Sequence, residues 1–113
     1  MCLLYFSDAF EFDFLKLPKF LFTDREAKKL SIGAKILYTA LLDRSRLSSK
    51  NGWIDKDDKV FVRFTLKDVC ELLSCTVPTA IKTYNELIKI GLIEKKKGRK
   101  GYADAVYVMS YIP

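Results

Sequence analysis

The chain of 113 residues contains no histidine. That removes the side chain most used to move protons near neutral pH, and the commonest metal ligand with it. Cysteine is scarce, with Cys2, Cys70 and Cys75 only. An odd, irregularly spaced set speaks against a secreted disulfide framework, and four local zinc ligands are not available. A reducing, intracellular and cytoplasmic setting is expected. The longest uncharged run is the ten residues from Leu72 to Ile81, well short of the ~20 apolar residues of a membrane span. The apolar start MCLLYFSDAF has no basic stretch before it, and Asp8, Glu11 and Asp13 follow, which is unlike a signal peptide. With five glycines and no glycine-rich phosphate loop or nucleophile beside a base, an enzyme is not expected, and neither is a cofactor or a bound metal.

What is present is half hydrophobic and 30% charged, the balance of a folded domain rather than a disordered segment. The length suits one core. Net charge is +6 from 20 basic and 14 acidic residues, which favours a polyanionic partner. The charge is uneven: residues 1–26 are net −2, 27–81 net +4, and 82–113 net +4. Lys95-Lys96-Lys97-Gly98-Arg99-Lys100 is the densest cluster, with five cations in six residues. Aromatics are skewed to the other end, with seven of fifteen in the first 22 residues. Such a segment has to be covered by the chain's own core or by a partner.

Periodicity gives the order of elements. Phe12–Phe22 alternates and then meets Pro18, the pattern of a strand or extended arm held at an edge. Thr23-Asp24-Arg25-Glu26 has capping-box spacing and predicts a short helix to about Leu30. Ser31 is placed to cap a helix over roughly 31–48, whose Leu30, Ala34, Leu37, Tyr38, Leu41 and Leu42 form one apolar stripe. Asn51-Gly52 ends it. Trp53-Ile54-Asp55 and Val60–Phe64 read as strands around a polar turn, with Val60, Val62 and Phe64 on one side and Phe61 and Arg63 on the other. The aspartates of that turn lack the glycine and terminal glutamate of a calcium loop. Thr65–Asp68 opens a helix over Leu66–Ser74. Thr76 is placed to cap another over Val77–Ile90, with Pro78 tolerated in its first turn. Ala80, Tyr84 and Leu87 are expected to face inward, with Ile81 and Ile88 widening the stripe. Leu92–Lys97 and Ala105–Ile112 read as two strands joined through Gly98 and Gly101.

Two short helices joined by a tight turn form a helix-turn-helix, and a basic hairpin follows directly. The order is that of an α+β winged helix with an N-terminal extended arm over 1–22 and the DNA-binding domain over 23–113. A second helix of this kind fits the major groove of duplex DNA, its start offering amides to phosphate. The expected contacts from that helix are Thr76, Val77, Thr79, Lys82, Thr83 and Glu86, with Lys82 suited to guanine acceptors. Those from the wing are Lys95, Lys96, Lys97, Arg99 and Lys100, along the backbone or minor groove. Several neighbours have plainer readings: Trp53 as packing, Tyr102 as a hairpin closure, Lys56 and Lys59 as turn charges, and Cys70 and Cys75 as core filler.

Four stretches carry a resemblance. They are Leu17–Thr23 (LPKFLFT), Leu30–Tyr38 with Leu42–Arg44 (LSIGAKILY, LDR), Lys50–Asp55 (KNGWID) and Glu86–Glu94 (ELIKIGLIE). Together they resemble the N-terminal domain of the plasmid replication initiator protein A family, from about Phe12 to Tyr111. The resemblance implies a winged helix that binds origin repeats in plasmid DNA, often as a homodimer, in Firmicute-type plasmids or mobile elements. It also implies a longer protein, whose C-terminal domain engages host replication proteins. A winged-helix transcriptional regulator, and a protein-interaction winged helix of a primosome-type assembly, remain alternatives. Dimerisation is expected through the apolar arm of residues 1–22.

Overall fold

The computed structural model describes residues 15–50, 59–98 and 104–109. Four α-helices and three strands are present among them: α1 (Phe20–Thr23), α2 (Ile32–Lys50), β1 (Val62–Arg63), α3 (Leu66–Leu73), α4 (Val77–Lys89), β2 (Ile93–Lys96) and β3 (Ala105–Val108). A 3₁₀ turn, Ala27–Lys29, lies between α1 and α2. The sheet is antiparallel in the order β1-β3-β2. Val62 pairs with Val106, and Ile93 with Val108. Helix, strand, helix, helix and hairpin make a winged helix, as the sequence order predicts.

The core forms where the apolar stripes of three helices meet one face of the sheet. Leu37, Tyr38 and Leu41 of α2, Val69 of α3, and Ala80, Tyr84 and Leu87 of α4 are buried against Val62, Ile93 and Val106. Truncating any of the leucines to alanine removes apolar contact and leaves a void, at a cost of about 2–5 kcal/mol. Two tyrosine hydroxyls tie helices to strand ends. Tyr38 donates to the Met109 carbonyl at 2.6 Å, and Tyr84 to the Phe64 carbonyl at 2.8 Å. Burial raises the pKa of both phenols, so each stays protonated as a donor.

Side-chain caps explain where two of the helices and the 3₁₀ turn begin. The Ser31 hydroxyl accepts from the Ala34 amide at 3.2 Å. Thr65 and Asp68 form a reciprocal capping box at the start of α3, with bonds of 2.8 and 3.2 Å. At Thr23–Glu26 the structure differs from the expected capping box. The Asp24 carboxylate, not the Thr23 hydroxyl, accepts from the amides of Glu26 and Ala27. Thr23 ends α1 and donates back to the Lys19 carbonyl. An aspartate is a full anion and reaches two amides at once, so it takes the cap. The second difference is α1 itself. Phe20–Thr23 is helical rather than extended, and Leu21 is fully buried in the core; a helical turn after Pro18 is what lets Leu21 point inward. Thr76 precedes α4 without a side-chain bond to an amide. Its hydroxyl instead lies 3.3 Å from that of Thr79; Pro78 sits in the first turn, where a missing amide costs nothing.

The strand expected at Trp53–Asp55 lies outside the described residues, as do residues 1–14 of the arm.

Candidate nucleic-acid interface

The α3–turn–α4 unit is built by a left-handed residue. Ser74 sits at φ 51°, ψ 48°, and the chain reverses so that the Cys75 amide donates to the Cys70 carbonyl at 3.1 Å. This i+5 bond brings Cys70 and Cys75 together as the apolar pair that closes the end of α3; both are half-buried and packed against the core. The Cys75 thiol is pushed up by desolvation and by the neighbouring Cys70.

Helix α4 then presents two different sides. Ala80, Thr83, Tyr84 and Leu87 are buried. Val77, Pro78, Thr79, Ile81, Lys82, Asn85, Ile88 and Lys89 are exposed. The expected outer face is therefore turned by somewhat under one residue step of about 100°. Thr83 is only 4% exposed and donates to the Thr79 carbonyl at 2.8 Å, so it points inward rather than at a ligand. A threonine satisfies its hydroxyl on the preceding turn and fills core space with its methyl. Glu86 is half-buried and committed elsewhere: its carboxylate accepts from the Ser31 amide at 3.0 Å and the Ser31 hydroxyl at 2.7 Å. Conversely, Ile81 and Ile88 do not widen the buried stripe; they are 43% and 39% exposed. Val77 (51% exposed), Thr76, Thr79 and Lys82 are exposed to solvent, as the sequence predicts.

Asn85 and Lys89 lie on the same exposed side, although the sequence reading does not name them. The signal that finds them is the stripe opposite Ala80, Tyr84 and Leu87, which runs through Lys82, Asn85 and Lys89 at the helical repeat.

The wing is built around Asp104. Its carboxylate accepts from the Gly98 amide at 2.9 Å and pairs with Lys95 at 3.3 Å. The Gly98 amide first and the Lys95 ammonium second hold its carboxyl below the usual carboxylate range. The Lys95 ammonium also lies 5.5 Å from the centre of the Tyr84 ring. Lys95 therefore bridges the wing to α4. Lys96 points to the other face of the sheet, 5.9 Å from the Tyr107 ring, and Lys97 is exposed. Arg99 and Lys100 lie outside the described residues, as does Tyr102.

Among the described residues, no three His, Cys, Asp or Glu side chains cluster as a metal site, and no helix is long and apolar enough to cross a membrane.

A family model of the replication initiator protein A (RepA) N-terminus matches residues 13–113. The chain belongs to the RepA N-terminus family. A Lactobacillus helveticus relative described as "41 kDa protein" is 35% identical over 102 residues, which cover 85% of this chain and 29% of that one. The chain thus spans under a third of the length of the curated relative it matches. Solved structures of the same fold are similar along nearly the whole chain. One, described as "N-Terminal domain of DNA binding protein", is 27% identical with a TM-score of 0.80, covering 100% of this chain and 86% of its own. A second, described as "Structure of Rep-DNA complex", is 28% identical with a TM-score of 0.79, covering 99% and 86%. A third, "Structure of MDR initiator", is 30% identical with a TM-score of 0.78, covering 99% and 88%. RepA N-terminus membership and the winged-helix architecture agree with the reading of the four sequence stretches.

Proposed function

We propose that this RepA N-terminus domain binds duplex DNA sequence-specifically at plasmid origin repeats, as the DNA-binding part of a cytoplasmic replication initiator. The observation that carries the reading is the bare side of α4. The buried side anchors the helix on the core, while Lys82 and Lys89 project from the opposite side among exposed apolar residues. A helix held in this way fits the major groove, with cations to attract the phosphates. The likeness to a protein seen in a Rep-DNA complex supports the same reading. Thr76 and Thr79 at the start of α4 would donate to phosphate, and the wing cations Lys96, Lys97, Arg99 and Lys100 would run along the adjoining backbone. The domain acts by binding, without catalysis of its own and without a cofactor.

The finer parts of the proposal concern assembly. A homodimer would place two such helices on repeated sites. Support comes from Leu15, Leu17 and Phe22, exposed apolar side chains at the described end of the arm. Contacts with host replication proteins would belong to the longer initiator. The experiment is fluorescence anisotropy of a labelled origin-repeat duplex over a salt series. The expected result is affinity that falls steeply with salt yet exceeds that for scrambled duplex. Absence of duplex binding at low salt would overturn the proposal. Sedimentation of a 13.0 kDa particle at all concentrations would overturn the dimer alone.

A further inference from the structure

Four polar side chains of α4 have hydrogen-bond partners within the chain, and the other three lie together on its exposed side. Glu86 is held by Ser31, Thr83 by the Thr79 carbonyl, and Thr79 faces Thr76. Tyr84 donates to Phe64. Lys82, Asn85 and Lys89 are all exposed. At about 100° per residue they fall within a sector of roughly 60°. Asn85 is the middle member, and the only one that carries both a donor and an acceptor. It is a weak helix former in mid-helix, with no hydrogen bond to a neighbouring turn to compensate, so the fold gains nothing from it there. Its two nearest exposed apolar neighbours along the helix surface are Ile81, four residues before, and Ile88, three residues after, both within side-chain reach on one flank of the row.

This combination matches one pattern of base edges. A carboxamide pairs bidentately with adenine N6 and N7, while apolar side chains suit the thymine methyl. Lysines on either side suit guanine or phosphate. We infer that Asn85 is the specificity-determining residue of this domain, reading an adenine in the major groove, with Ile81 and Ile88 against thymine methyls of adjoining A·T pairs. The inference rests on the duplex-binding reading above and adds the base and the residue that reads it.

The test is selection from a random duplex library with the full chain, using the wild type, Asn85→Ala and Asn85→Gln, with circular dichroism as a folding check. The wild type is expected to enrich an adenine within an A·T-rich centre. Asn85→Ala is expected to lose preference at that one position while keeping the flanking ones. Replacing that adenine by 7-deaza-adenine, which lacks the N7 acceptor, should weaken wild-type binding about tenfold or more and leave Asn85→Ala indifferent. Two outcomes overturn the inference while duplex binding stands: an unchanged consensus in Asn85→Ala, or equal sensitivity of both proteins to 7-deaza-adenine. A wild type that binds no duplex at low salt overturns the parent reading as well, which separates the two failures.

Discussion

Glu86 and Ser31, 55 residues apart, are joined by two hydrogen bonds through both oxygens of one carboxylate. Ser31 is also the cap of α2, its hydroxyl accepting from Ala34 while donating to Glu86. One residue thus starts the long helix and holds the second helix of the helix-turn-helix beside it. The carboxylate lies at the N-terminus of α2, where it accepts from the Ser31 amide.

Removing the clasp should loosen α4 without touching its outer face. Glu86→Ala is expected to cost about 1–2 kcal/mol, less than a fully buried charged bond because the pair is partly exposed. Urea unfolding reads the stability. DNA affinity should fall by a similar factor for specific and scrambled duplex, leaving the selected consensus unchanged. A change in base preference would mean that Glu86 touches DNA after all.

Tyr84 is the internal counterpart. Its hydroxyl satisfies the Phe64 carbonyl in a buried setting, and its ring faces Lys95. Tyr84→Phe leaves that carbonyl without its partner and is expected to cost about 1–3 kcal/mol, read by thermal or urea unfolding. An unchanged midpoint would show that the carbonyl finds another donor.

The wing lysines should not be equivalent. Lys97 is exposed, whereas Lys95 is paired with Asp104. Lys97→Ala should leave stability unchanged and lower the salt slope of duplex binding by about 1. Lys95→Ala should disturb the wing first, visible as a shift of the Gly98 amide resonance. Equal effects of the two on slope and on the Gly98 resonance would contradict the assignment.

The pH dependence follows from Asp104. Its carboxyl is held below its ordinary value of 3.8 by the Gly98 amide and Lys95. A depressed folded pKa means that the folded state resists protonation more than the unfolded chain does. The contribution is therefore complete above the ordinary aspartate range and lost as pH falls through the depressed value. Wing structure should be unchanged from about pH 8 down to about pH 5 and loosen only in stronger acid. Titration of the Asp104 carboxyl carbon by NMR, with the Gly98 amide as reporter, checks both the direction and the coupling.

Much of this was legible in the residues. The α2 stripe, the capping box at Thr65, Pro78 in the first turn of α4 and the alternation of Val62 and Phe64 against Phe61 and Arg63 are local patterns, and the structure keeps them. The buried triad Ala80, Tyr84 and Leu87 was legible for the same reason. The errors came where two neighbours compete for one role. Thr23 and Asp24 both suit a cap, and only geometry shows that the carboxylate wins. Ile81 and Thr83 sit on opposite flanks of the buried stripe of α4, and hydrophobicity alone favours burying the isoleucine. The core instead takes the threonine, whose hydroxyl is satisfied by its own helix, and leaves Ile81 outside. The role of Glu86 required knowing that Ser31 lies beside it, a contact across 55 residues that no local pattern reports.

In the proposed complex, the bare side of α4 and the wing meet duplex DNA. The most direct measurement is the change in backbone amide resonances of the isotope-labelled chain when duplex is added at low salt. Shifts are expected to concentrate at Lys82, Asn85, Lys89 and the start of α4, together with Lys97 and Gly98, with little change at Leu37 or Leu41. Shifts confined to α1 and the opposite face of the sheet, or no shifts at all, would contradict it.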